Sequence, residues 1–159
     1  MAAREQVDIL LVEDNQYDEK LTLRALRKHH LANHIHVVRD GAEALDFVFA
    51  RAAYAGRYVD LPAKVILLDI KLPKVDGLEV LRQIREDPRT ARQPVVMLTS
   101  SGEKQDIDLA YEYGANSYIV KPVEFQGFVA AVRDLGLYWL LLNQPPEPAD
   151  LAASRGNDA

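Results

Sequence analysis

Three acidic side chains and two other polar groups stand where short apolar runs of the sequence end. Glu13 and Asp14 follow Val7–Val12, Asp69 follows Lys64–Leu68, Thr99 follows Pro94–Leu98, and Lys121 follows Ser117–Val120. If those runs are strands of one parallel sheet, about 4.8 Å apart, the groups at their ends converge on a small area. Carboxylates brought together repel one another, so either one takes up a proton or a cation screens them. Three carboxylates with room for water suit a hard divalent ion such as magnesium, which prefers oxygen ligands and keeps several of its waters. The backbone carbonyl of Lys71, on the loop just past Asp69, is a further candidate ligand. An ion held there leaves positions for a phosphoryl oxygen, while Lys121 adds positive charge and Thr99 a hydroxyl donor. Such a set fits phosphoryl transfer, where catalysis is mostly positioning and charge stabilisation. An aspartate carboxylate can serve as a covalent phosphoryl acceptor.

Each group has a blander reading. An acid after a strand is commonly a helix cap, a threonine there a turn residue, a lone lysine a solvated charge. Four strand ends supplying mutually compatible groups are harder to attribute to capping. His29, His30, His34 and His36 invite a metal reading as well. Two fall at a helix end, where positive charge is favourable, and two alternate on a short strand. They read as surface or structural histidines.

The elements that must position these groups follow from the hydrophobic pattern. Val7–Val12, His34–Val38, Lys64–Asp69, Pro94–Leu98 and Ser117–Val120 read as strands. Between and after them come helices: one capped by Asp14 or Asn15 and running through about His30, then Ala42–Ala53, Leu78–Arg85, Lys104–Tyr113 and Glu124–Leu142. Strict alternation of short apolar strands with amphipathic helices argues for an α/β fold, a parallel sheet with helices on both faces and right-handed crossovers. Residues 7–142 form the expected domain. Pro145, Pro146 and Pro148 open a small-residue tail, 143–159, with little to bury and an expectation of disorder.

Composition narrows the function. A chain of 159 residues fits one core. A net charge of −5 without a concentrated basic patch gives no footprint for nucleic acid. The absence of cysteine excludes a disulfide framework, a thiol nucleophile and cysteine-ligated metal, and fits a reducing compartment. The N-terminus lacks the apolar run of a signal peptide. The longest apolar stretch, Leu135–Leu142, is far short of the roughly 20 residues a membrane helix needs. No membrane association and a cytoplasmic location are therefore expected.

The motifs Leu11-Val12-Glu13-Asp14-Asn15, Leu67-Leu68-Asp69-Ile70-Lys71-Leu72-Pro73-Lys74-Val75-Asp76-Gly77, Val96-Met97-Leu98-Thr99-Ser100-Ser101 and Gly114-Ala115-Asn116-Ser117-Tyr118-Ile119-Val120-Lys121-Pro122 together resemble the receiver domain of two-component response regulators. The resemblance spans about Asp8 to Leu142, with the motifs in the family's order and spacing. It implies a flavodoxin-like, doubly wound five-stranded sheet in the order 2-1-3-4-5. It implies that Asp69 is the phosphoacceptor, that Asp14 binds magnesium directly and Glu13 often through water, and that Lys71 gives its backbone carbonyl to the metal. Lys121 would pair with the phosphoryl group, and the Lys121–Pro122 bond would be cis. Thr99 and Tyr118 match the switch pair, with Thr99 moving to the phosphoryl oxygen and Tyr118 turning from an exposed to an inward position. Ser100 matches a position kept small for access to the acceptor. The donor would be a phosphohistidine on a partner histidine kinase. The chain would catalyse only its own phosphorylation and dephosphorylation, and so is no enzyme with turnover. The bulk and charge of the Lys71 side chain beside the attacking water predict a long-lived phosphoryl state.

The long loop Ala53–Ala63 and the Leu137-Tyr138-Trp139-Leu140 run resemble the stand-alone regulators that partner phytochrome histidine kinases. Only a polar tail follows Leu142, so signalling by surface contact is the expectation. Leu135 and Leu137–Leu142 place more apolar residues on the last helix than one face can bury. A homodimer through the fourth helix, fifth strand and fifth helix would cover them, and so would the proline-rich tail folded back. Other chemistries fit less well. A haloacid-dehalogenase-type phosphatase needs a second acid where Lys71 stands. A flavodoxin-like flavin binder needs a phosphate loop where Glu13-Asp14-Asn15 would repel phosphate. A degenerate scaffold would not keep the acid, threonine and lysine set.

Overall fold

A computed structural model describes residues 6–27, 34–58, 61–100 and 104–136. Strands β1 (Ile9–Val12), β2 (Ile35–Val38), β3 (Val65–Asp69), β4 (Val95–Thr99) and β5 (Ser117–Val120) alternate with helices α1 (Gln16–Arg27), α2 (Gly41–Val48), α3 (Gly77–Glu86), α4 (Lys104–Glu112) and α5 (Phe125–Asp134). All strand pairings are parallel, and the order is β2-β1-β3-β4-β5. The expected strand order is therefore the observed one.

Period-two alternation divides the core between the two faces of the sheet. Leu10, Val12, Ile66, Leu68, Val95 and Met97 point to one face, where Leu45 and Phe47 of α2 and Val80, Leu81 and Ile84 of α3 cover them. Ile9, Leu11, Val65, Leu67, Val96 and Leu98 point to the other, under Leu26 of α1 and Phe128 and Val132 of α5. The central strands β1, β3 and β4 are buried throughout, which is why they read as unbroken apolar runs. The edge strand β5 alternates, with Tyr118 and Val120 exposed and Ile119 buried.

Local signals fix most helix starts. Asn15 Oδ1 accepts from the Asp18 N–H at 2.9 Å, so Asn15 caps α1 and the Asp14 carboxylate is left for other work. Asp40 caps α2 through the Glu43 N–H at 2.7 Å, and Asp76 caps α3 through the Glu79 N–H at 3.1 Å. Gly77 follows the Asp76 cap because nothing larger fits: a Cβ there would stand 2.0 Å from the Asp69 carbonyl oxygen. The start of α3 is thereby locked onto the end of β3. Gly114, at φ 100°, follows the end of α4 as expected.

The second helix is shorter than its periodicity predicts. It ends at Val48, and a separate 3-10 turn forms over Ala52–Tyr54, with Ala50 and Ala52 at positive φ. The reason is tertiary. Arg57 donates to the Phe47 carbonyl at 2.7 Å and lays its guanidinium 3.5 Å from the centre of the Phe47 ring. Tyr54 returns to α2, donating to Glu43 at 2.8 Å, and meets His36 Nε2 at 2.9 Å. The loop thus folds over the outer strand β2, and His36, stacked on Phe47 at 5.1 Å, is a structural residue as anticipated. The last helix, expected to run to Leu142, ends at Asp134, with Gly136 at φ 72° just beyond it. His29, His30 and residues 137–159 lie outside the described residues.

Burial pushes the His36 imidazole below its ordinary 6.5, with Arg57 adding to the shift and Glu43 opposing it. The unfolded chain therefore takes up the proton first. The stability His36 contributes is fully present above pH 6.5 and is lost as pH falls through the lower folded-state value. Thermal unfolding followed from about pH 8 to about pH 5 should accordingly fall more steeply for the wild type than for His36→Gln. Parallel curves for the two proteins would remove His36 from the pH response.

Candidate functional site

The carboxyl ends of β1, β3 and β4 and the residue after β5 meet on one edge of the sheet, as chain direction requires in a parallel sheet. Register brings their ends together: Val12 pairs with Leu68, Asp69 with Leu98, and Thr99 with Val120. One ligand oxygen each from Glu13, Asp14 and Asp69 lies within 4.8 Å of the others. Glu13 is fully buried and Asp69 nearly so, while Asp14 is exposed at the mouth. Asp14 and Lys71 line an open cleft of about 550 Å³ together with Asp76 and Asp106.

Lys121 enters from the far side of the sheet. The peptide bond after it is cis, as the motif implies, and its N–H donates to the Thr99 carbonyl at 2.8 Å. Its ammonium donates to Asp69 Oδ2 at 2.7 Å and to Asp18 Oδ2 at 3.2 Å. It also forms an ion pair with Glu13 Oε1 at 2.7 Å.

This arrangement is strongly charged. Burial drives the Glu13 carboxyl up to about 7, with the Asp69 charge reinforcing the shift and Lys121 opposing it. Folding is thus disfavoured progressively as pH rises from 4.5 to about 7, where a buried group must become charged. Burial alone would lower the Lys121 ammonium, yet Asp69 and Glu13 outweigh it and hold the ammonium above its ordinary value. The lysine stays protonated because its neighbours are anions.

The remaining predicted residues fall nearby in different ways. Thr99 is buried at the end of β4, one residue beyond the row of Asp69. The Lys71 side chain is exposed, and its N–H approaches Asp69 Oδ1 at 3.4 Å. Tyr118 is partly exposed on β5 and meets Tyr111 of α4 edge to face at 6.0 Å. Ser100 is exposed next to Thr99, and Ser101 lies outside the described residues. Asp18 was not anticipated. Its position in the first helical turn reads as an ordinary complement to the helix dipole, and nothing local points to a lysine 103 residues away.

The donor set fits a hard divalent cation. It consists of oxygen ligands alone, two of them on the buried carboxylates of Glu13 and Asp69, and open space adjoins it. A doubly wound sheet with an acidic pocket and a lysine at its carboxyl edge defines the class of aspartate-based receivers. The chain belongs to the response regulator receiver domain family, whose pattern matches residues 9–133. Receiver domains take phosphoryl groups from histidine kinases, bind Mg2+ or Mn2+ at an acidic pocket, and are in general signalling proteins rather than enzymes.

Among solved structures, the chain resembles the bacteriophytochrome response regulator RtBRR, at 50% identity and a TM-score of 0.79 over 95% of this chain and 90% of that one. It resembles the bacteriophytochrome response regulator AtBRR at 52% identity, also with a TM-score of 0.79, over 88% of this chain and 99% of that one. Among curated proteins, it is 40% identical to the probable methanogenesis regulatory protein FilR2 of Methanothrix harundinacea over 94% of each chain. It is 35% identical to the response regulator Rcp1 of Synechocystis over 83% of this chain and 88% of that one. A Mn2+-bound form of Rcp1 has been solved, with a TM-score of 0.69 to this chain at 33% identity over 89% of this chain and 99% of that one. No helix among the described residues is long and apolar enough to cross a membrane.

Among the described residues, Lys121 is the cation in contact with both Glu13 and Asp69, and its removal would leave them facing each other. Lys121→Met should therefore lower the unfolding free energy of the metal-free protein by about 2 kcal/mol, less than a permanently charged pair would lose, because Glu13 can take up a proton. Adding Glu13→Gln should recover part of that loss in urea unfolding. Strictly additive losses would show that the contact carries no coupling.

Proposed function

We propose that this protein is a phosphorylation switch that takes a phosphoryl group from a partner histidine kinase onto Asp69 in a magnesium-dependent reaction. The observation that carries the reading is the meeting of Glu13, Asp14 and Asp69 with the Lys121 ammonium 2.7 Å from Asp69 Oδ2. Glu13, Asp14 and Asp69, with the backbone carbonyl of Lys71, would hold the Mg2+. A bound Mg2+ supplies charge neutralisation for the incoming phosphoryl oxygens. Asp69 attacks phosphorus, Lys121 pairs with a phosphoryl oxygen, and Thr99 donates its hydroxyl to another. Thr99 and Tyr118 then form the switch. Phosphorylation favours the state in which Tyr118 turns inward, through contacts the other state lacks. The chain catalyses only its own phosphorylation and the later hydrolysis.

Likeness to RtBRR, AtBRR and Rcp1 supports a kinase of the phytochrome type as the partner. A cytoplasmic setting fits such a partner. A homodimer through α4, β5 and α5 is supported by exposed Tyr111, Tyr118 and Val120 around the edge strand. The apolar run Leu137–Leu142 that first suggested the dimer lies outside the described residues.

Incubation with phosphoramidate and Mg2+ should add one phosphoryl mass to the wild type and none to Asp69→Asn. Equal gain by both would refute the acceptor assignment. After donor removal, Lys71→Asn should lose the added mass faster than the wild type, and an unchanged rate would discount crowding of water by Lys71. Sedimentation should show a dimer that Tyr118→Asp and Val120→Asp weaken. A monomer at high concentration, with and without phosphoryl group, would rule that assembly out.

A further inference from the structure

The Lys121 ammonium has three N–H donors, and three carboxylates surround it. Glu13 and Asp69 are the inner partners at 2.7 Å each. Asp18 is the outer one, at 3.2 Å, and its side chain is 30% exposed against 0% for Glu13 and 8% for Asp69. Its backbone is pinned by the Asn15 cap, so its carboxylate is presented from the first turn of α1 at a fixed place. None of the roles assigned above falls on Asp18.

We propose that Asp18 is a positioning residue for phosphoryl transfer, an outer tether that holds the Lys121 ammonium in the unphosphorylated state and competes with the incoming phosphoryl group for it. The inference rests on the reading of Asp69 as acceptor. In transfer from phosphoramidate, the phosphorus–nitrogen bond breaks as a bond forms between phosphorus and an Asp69 carboxylate oxygen. The leaving nitrogen takes a proton from solvent and departs as ammonia. The phosphoryl oxygens carry negative charge throughout, and Lys121 must turn an N–H toward one of them. Glu13 is buried and cannot be replaced by water as a partner. Asp18 reaches solvent, so its bond is the one given up at least cost. Until then it draws the ammonium outward and adds a negative charge beside an arriving anion.

Neutralising Asp18 should therefore speed phosphorylation. With phosphoramidate and Mg2+, Asp18→Asn and Asp18→Ala should gain phosphoryl mass about threefold faster than the wild type, as expected for loss of a partly exposed ion pair. Asp18→Glu keeps the charge and should stay near the wild-type rate, a rescue that a merely structural role would not give. Wild-type or slower rates for Asp18→Asn and Asp18→Ala would overturn the proposal, as would an Asp18→Glu as fast as Asp18→Ala. The tether is also read without metal or donor. In nitrogen NMR of the lysine ammonium groups, Lys121 protons should exchange with water faster in Asp18→Asn and Asp18→Ala than in the wild type or Asp18→Glu. Equal exchange in all four would overturn the tether. If Asp69→Asn gains as much mass as the wild type, the acceptor reading fails instead, and the exchange measurement still decides whether Asp18 holds Lys121.

Discussion

The site is organised around one ammonium group among carboxylates. Lys121 approaches Glu13, Asp18 and Asp69, and among the described residues it is the one cation in contact with Glu13 and Asp69. The crowding is electrostatically costly: burial first, and the Asp69 charge after it, push the Glu13 carboxyl up to about 7 against the pull of Lys121. A site with surplus negative charge at its mouth is suited to a divalent cation, and a cation there is suited to a phosphoryl group. The same repulsion that weakens the metal-free fold thus makes the site receptive.

The fold holds these charges together by rigid means. The central strands are buried on both faces, so their ends have little freedom to separate. Gly77 brings the start of α3 against the Asp69 carbonyl, where a Cβ would stand only 2.0 Å from the oxygen. Asn15 takes over the capping of α1 and leaves the Asp14 side chain at the cleft. A group positioned in this way need not be reorganised when an anion arrives, which is the condition for electrostatic catalysis. By contrast, Tyr118 and Val120 lie on the edge strand with one face toward solvent, where a change in packing disturbs few neighbours.

The loop over β2 shows the limit of periodic reading. Apolar spacing carries a helix from Ala42 to Ala53, yet the helix stops at Val48. The carbonyl of Phe47 finds Arg57, ten residues on, and Tyr54 finds His36 and Glu43. Those partners compete with helix continuation only after β2 and α2 have packed together. Helix starts were far more legible, since Asp40 and Asp76 bond N–H groups three residues away.

The sequence by itself determined the alternation of strands and helices, the two-sided core and the placement of Glu13, Asp14, Asp69, Thr99 and Lys121 at strand ends. These depend on periodicity and on chain direction, which are local properties. Only the tertiary structure decided which carboxylates share the ammonium. Asp18 and Lys121 are 103 residues apart and belong to different layers, so no spacing rule relates them. Their contact follows from where α1 packs against the sheet, which is set by burial over the whole face under Leu26, Phe128 and Val132.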